Sequence, residues 1–551
     1  MPSVSRRSAL ALGLGLPALM TLASCGNGSS GGDGAAAGEP QQGGTLTYLE
    51  PQTWTTLYPP AGGFYPNGGL INNLTDRLLY QNPETLALEP WIATALPEVN
   101  EDATEYTFTL REGASYSDGT PIDAENVVKN FDLYGTGDPE RALTVSEAIN
   151  NYDRGEVVDA TTVKFFFSAP SPGFPQAVST INSGLLSSAT LDRSGEQFGP
   201  GNAADLIASG PFVVSAEEIG TQITLAVRED YDWAPASLGH EGRAYLDEIV
   251  YLVASESSVR VGTVTSNQAH IARQIDAPDE AQFEADGLVL YAAPTNGVNN
   301  SLSFRFRDPA LEDIATRQAL IAAIDRQAIV DTLFTANYPL ATGALGTKAL
   351  GYVDTSEHYA HDPALAATLL DEAGWVVGAD GTRAKDGAPL TLTFNEALPQ
   401  PRSREVVTLI QEQLAELGID VQLLPGDQAT QDAARAEPGE VQVYHSMVAR
   451  SDYDVIKSQF SSDNRNALLN GHPDGTVGDE ELDALFAQIA STPDEEGRAE
   501  ASAAAQAHLA EQALILPLFE EPQVYGHVDA VQGFSTESVA RPSFYDTWLV
   551  G

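Results

Sequence analysis

The chain has 551 residues, with 77 acidic against 28 basic side chains and a formal charge of −49. That balance excludes nucleic-acid binding, because a phosphate backbone would be repelled, and it speaks against adhesion of the folded body to anionic lipid. The single cysteine, Cys25, rules out a disulfide within the chain.

The N-terminus reads as an export segment. Ser5-Arg6-Arg7-Ser8 opens a basic region, and 9–23 is then apolar and uncharged. At about 15 residues this run is shorter than the roughly 20 that a membrane span needs, and it fits the core of a signal peptide, 1–24. Leu22-Ala23-Ser24-Cys25 has the look of a lipobox. Cys25 is therefore expected to be acylated and to become the first residue after cleavage. Removing Arg6 and Arg7 takes the charge from −49 to −51, since 1–24 contain no acids. Two acyl chains would hold the protein to the membrane, where one alone is marginal. The twin arginines suggest twin-arginine export, although paired arginines also occur in ordinary secretory signals. The Gly/Ser/Ala-rich tract that follows, 25–42, cannot bury a core and is expected to be a flexible tether reaching about 21–25 Å.

The roughly 510 residues beyond it are too many for one core, so two or three domains are expected. Strand-like runs alternate with amphipathic helices, which is an α/β pattern. Leu46 and Tyr48 open the first strand. In 106–111, Tyr106, Phe108 and Leu110 alternate with Thr107, Thr109 and Arg111, the period-2 signal of a half-buried strand. Ser117-Asp118-Gly119-Thr120-Pro121 is a turn, and Asp123 can cap a helix whose first turn carries Glu125. Further strands are predicted at 223–227, 249–253 and 288–291. Asn296-Gly297 and Asn299-Asn300 read as turn formers. Leu302, Phe304 and Phe306 alternate just before a long helix from about 312.

Several of these segments resemble one family. YTFTLREGASYSDGTPIDAENVV at 106–128 is similar to the signature of the extracellular solute-binding proteins of peptide-type ABC importers, family 5, the oligopeptide, dipeptide and nickel group. It departs from that pattern at Ala114, Tyr116, Asp123 and Asn126. In the family's order follow LEDIATRQALIAAIDRQAIV (311–330), HDPALAATLLDEAGW (361–375), GTRAKDGAPL (381–390), LGIDV (417–421) and LILPL (514–518). The resemblance covers about 43–534. It implies a two-lobed α/β fold of the periplasmic-binding-protein type (type II, cluster C), with an extra inserted domain and a cleft between the lobes. Domain I would comprise 43–82, 206–297 and 526–551, domain II 83–205, and domain III 298–525, with hinges near 296–299 and 522–526. It also implies a monomeric receptor without cofactor, which delivers a small-molecule or peptide ligand to an ABC permease and its ATPase subunits.

The residues offer no convincing catalytic constellation. There is no G-x-S-x-G elbow, P-loop or H-E-x-x-H motif. His358 and His361 have helical spacing with flanking acids, and solvated surface histidines account for them better than a metal site. The family's cleft geography points to Trp54, after the first strand, as a flat ligand surface or a core residue. Asn296 and Asn299 at the crossing offer amide groups. In 444–460, YHSMVARSDYDVIKSQF, peptide binders of the family carry a W-x-x-D motif whose aspartate pairs with the peptide's α-ammonium. Here Asp452 falls close to that position and Ala449 replaces the tryptophan, so Asp452 is either an amine site or a helix cap. Arg450 could take a carboxylate bidentately or pair with Asp452, and Tyr444 and Tyr453 flank both. A zwitterion such as a short peptide would fit the two charges. Metal chelates of the nickel type and oligosaccharides are the alternative ligands, and a secreted hydrolase is the alternative outside the class.

Overall fold

Alternating burial along Thr45–Glu50, with Leu46 and Tyr48 fully inside, makes this strand the middle of a seven-stranded sheet. The spatial order is Val289–Ala293, Gln523–His527, Ile271–Arg273, Thr45–Glu50, Glu248–Val253, Gln222–Val227 and Phe212–Glu218. Thr45–Glu50 runs parallel to both of its neighbours. The computed structural model describes residues 39–398, 400–462, 469–470 and 476–550. The signal segment, Cys25 and most of the tether lie outside them.

The signature segment forms as its pattern predicts. Strand Glu105–Thr109 joins a four-stranded antiparallel sheet and buries Tyr106 and Phe108. They pack edge-to-face on neighbouring rings, Tyr106 at 5.3 Å from Phe174 and Phe108 at 6.0 Å from Phe165. The Asp118 carboxylate accepts from Thr120 N, and Gly119 takes φ +83°, which a side chain would resist. Asp123 then caps helix Ala124–Thr136 by accepting from Asn126 N at 2.9 Å. Arg228 fastens this turn to the first sheet: its Nη1 donates to Ser115 O and Ser209 O, and its Nη2 to Tyr116 O. These contacts are structural: they hold the turn and the helix start against the first sheet.

A second, five-stranded sheet has the order Asp420–Leu423, Thr391–Phe394, Val443–Ala449, Gly297–Phe304 and Ile515–Phe519. The chain passes between the two large sheets at 294–296 and again at 520–522. At the first passage glycine is required: Gly297 has φ +135°, and a Cβ there would sit 2.1 Å from Val448 O. Asn299 and Asn300, read above as turn formers, instead lie inside Gly297–Phe304, whose eight residues are all buried. Burial is tolerated because each amide finds partners. Asn299 Nδ2 donates to Gly343 O at 2.9 Å and Leu345 O at 2.8 Å.

The long helix predicted from about 312 is two helices, Ile314–Ala323 and Arg326–Leu333. Ile324 is extended, and Asp325 caps the second helix through Ala328 N. Arg317 and Arg326 are buried beneath them. Arg317 donates to the carbonyls of Leu311, Glu312 and Gln512, and Arg326 to those of Ala341, Pro517 and Tyr359. Burial pulls both down to about 10, so both stay charged at neutral pH. Among the described residues no helix is long and apolar enough to cross a membrane.

Candidate functional site

The second passage between sheets borders a cavity of 680 Å³, within the range of small-ligand sites. One wall comes from the first sheet and its helix: Gln52, Tyr65, Arg273. A second comes from the end of strand Val443–Ala449 and the residues after it, Met447 to Ser451. The second passage itself supplies Glu521, the strand that follows it Gln523, and the C-terminal segment Glu537 and Arg541.

Each cationic side chain here has an acidic companion. Arg273 Nε donates to both Glu50 oxygens at 3.0 and 3.1 Å, and its Nη1 to Gln523 Oε1 at 2.8 Å. Burial opposes its charge, but Glu50 overrides that and holds the guanidinium above its ordinary pKa. Arg541 pairs with Glu537 at 3.4 Å and donates to Gly63 O. The Tyr65 ring lies 5.3 Å from the Arg273 guanidinium and 5.2 Å from that of Arg541, within cation–π range. Its hydroxyl donates to Val539 O at 2.9 Å. On the opposite sheet, Arg450 and Asp452 meet at 2.6 Å. Burial works against the Arg450 charge, and Asp452 and Asp454 outweigh it, so its pKa is raised.

Glu521 differs. It is 4 % exposed and lines the cavity. Asn300 Nδ2 donates to its carboxyl at 2.9 Å, and among the described residues no ion pair includes it. Burial pushes its pKa up to about 8, against which the Asn300 hydrogen bond works. Behind Asn300 lies His445, fully buried, whose Nε2 is 2.7 Å from Asn300 Oδ1 and whose Nδ1 is 2.9 Å from Ser403 Oγ. Burial takes His445 down to about 4, so the ring is neutral.

Of the residues expected at the cleft, Arg450 lines the cavity, while Trp54, Asn296, Asn299, Tyr444, Asp452 and Tyr453 stand outside its lining. Trp54 packs beside Pro66, Leu70 and Tyr251, around a small apolar space of its own. Asn296 supports the wall from behind: its carbonyl accepts from Arg450 N, and its Nδ2 donates to Ser538 O. The Tyr444 hydroxyl accepts from Arg435 Nη1, and that of Tyr453 donates to Glu495. His358 and His361 sit beside Glu357 and Asp325, at 3.7 and 3.5 Å.

The sequence profile of the bacterial extracellular solute-binding proteins, family 5, matches residues 87–467. The chain belongs to that family. The glutathione-binding protein GsiB of Escherichia coli K12 is 24% identical over 494 residues, which are 87% of this chain and 90% of GsiB. Its counterpart in E. coli O1:K1 is 25% identical over 492 residues, with the same 87% and 90% covered. Among solved structures, NikA from Brucella suis in complex with Fe(III)-EDTA superposes with a TM-score of 0.76 at 22% identity, over 92% of this chain and 100% of that one. AppA, the oligopeptide-binding protein of Bacillus subtilis in complex with a nonapeptide, gives 0.76 at 19% identity, over 93% and 100%. The two large sheets are thus the cores of the two lobes of a family 5 solute-binding protein, and the cavity lies where the chain crosses between them.

Tyr65, Arg273, Glu521, Glu537 and Arg541 were not singled out from the sequence. Two left a signal. Arg273 is a charged residue ending the fully buried strand Ile271–Arg273. Glu521 is the second of two acids that follow the wholly buried Ile515–Phe519, where a charge costs most.

Proposed function

We propose that this protein is a monomeric receptor, anchored through acylated Cys25, that captures short peptides outside the membrane and hands them to an ABC permease and its ATPase subunits. What supports the peptide reading is the cavity at the lobe crossing, which has the volume of a small ligand and carries charged groups of both signs on facing walls. In this reading Arg450 takes the ligand's carboxylate, and Asp452 holds that guanidinium in place. Asn296 fixes the backbone on which Arg450 is mounted. Trp54, Asn299, Tyr444 and Tyr453 keep the surrounding walls rigid. No covalent step is required. Affinity would come largely from main-chain hydrogen bonds to an extended ligand, which accommodates varied side chains.

Signalling to a permease requires that ligand favour the closed arrangement of the lobes. Moving a population from 1:99 to 99:1 takes about 5.5 kcal/mol of preference. The reading is tested by a thermal-shift series on the protein with di- to pentapeptides, Fe(III)-EDTA and maltooligosaccharides. A ligand at a hundred times its Kd adds about 2.7 kcal/mol. Stabilisation by peptides alone is expected; stabilisation by the chelate or sugars alone would discard the peptide assignment and keep the receptor.

A further inference from the structure

Buried charge in this cavity is matched residue by residue with one exception. Arg273 has Glu50, Arg541 has Glu537 and Arg450 has Asp452. Glu147 acts on Arg450, and Glu520, next in sequence, accepts from Thr347 N and Oγ1. Tyr65 and Tyr338 also face the cavity, and burial keeps both phenols neutral. Glu521 alone is a cavity carboxyl with an amide as its side-chain partner and no cation.

The amide is itself oriented. Ala397 N donates to Ser403 Oγ at 2.9 Å, which leaves the Ser403 hydroxyl to donate to His445 Nδ1. Neutral His445 then carries its proton on Nε2 and donates it to Asn300 Oδ1. That fixes the Asn300 NH₂ group towards Glu521. Three side chains, Ser403, His445 and Asn300, are thus arranged so that every hydrogen bond points towards one carboxyl, favouring an oxygen that can accept charge. Burial without a cation works the other way and keeps the proton on at neutral pH.

We infer that Glu521 is the receiving group for a positively charged nitrogen of the ligand, an ammonium or guanidinium, and that its binding expels the carboxyl proton to solvent. This rests on the cavity being the solute site. The proton balance is simple: a neutral carboxyl and a cationic ligand become a carboxylate–cation pair and one released proton. Affinity for such a ligand therefore rises up to tenfold per pH unit below about pH 8 and levels off above it for a guanidinium, whereas a peptide α-ammonium itself loses its proton near that pH. Ligands without a cation show no such slope.

The test is calorimetric titration at pH 6, 7 and 8, in buffers of different ionisation enthalpy, with trialanine, N-acetyl-trialanine and spermidine as probes. Wild-type protein should bind trialanine with close to one proton released at pH 7 and about tenfold tighter at pH 7 than at pH 6. N-acetyl-trialanine should bind at least tenfold more weakly, without proton release. Glu521→Gln keeps the oxygen to which Asn300 donates; it should lose at least tenfold for trialanine and abolish the proton linkage. Trialanine binding with no proton released by the wild type, which needs no variant, would overturn the role of Glu521 and leave the peptide receptor standing. Proton-linked binding of spermidine without any peptide binding would overturn the peptide reading and support Glu521. Binding of none of the three would overturn both.

Discussion

Arg273 and Glu521 line one cavity, are nearly equally buried at 3 % and 4 % exposure, and carry opposite kinds of group. Arg273 sits against a carboxylate that makes it more firmly charged than in water, whereas Glu521 sits against an amide and is neutral at pH 7. The first arrangement fixes a wall, because both partners are committed to each other. The second leaves a group whose charge depends on what enters. A matched pair has less left to offer a charged ligand than an unmatched group.

The largest effect should come from breaking the matched side. Glu50→Ala strands a buried guanidinium and removes the acceptor of the Tyr48 hydroxyl. A loss of about 3–5 kcal/mol in urea unfolding is expected. A loss below about 1 kcal/mol would mean that Gln523 and water suffice for Arg273.

Next comes the unmatched side, read through pH. Glu521 has an ordinary pKa of 4.5, raised to about 8 in the fold. The folded protein holds a proton that the unfolded chain has lost, so stability falls as pH rises from about 4.5 to about 8 and is flat beyond. Glu521→Gln should remove that slope, worth on the order of 2–4 kcal/mol between pH 5 and 8. Equal slopes in variant and wild type, from urea midpoints, would place the penalty elsewhere.

Asp452→Ala breaks a pair that is somewhat more open, with side chains 19 % and 13 % exposed. It should cost about 2 kcal/mol and weaken a ligand carboxylate's hold on Arg450. Unchanged affinity for trialanine would take Arg450 out of the site. As a scale outside the cavity, Asp123→Ala removes a helix cap and should cost about 1 kcal/mol, with no change in affinity for trialanine; a change would mean that the signature turn reaches the cavity.

The fold was legible wherever local chemistry decides it. Period-2 alternation located Glu105–Thr109 and Thr45–Glu50, and a cap residue located the helix after Asp123. Asn299 and Asn300 misled because amides that favour turns can also be buried when every group is bonded. Of the cavity lining only Arg450 was legible, where contrasting charges stand close in sequence. Tyr65 meets Val539 across 474 residues, and Arg273 meets Gln523 across 250. No local pattern reports such meetings; they exist only after the two sheets have formed.

The most direct measurement is titration of trialanine into wild-type protein and into Gly63→Trp, which fills the cavity from a position where an added Cβ meets nothing within 4 Å. We predict binding by the wild type and at least a hundredfold loss in the variant, with the melting temperature of the free protein little changed. Equal affinity in the two proteins, or no binding by the wild type, would contradict the assignment of this cavity as the site of peptide capture.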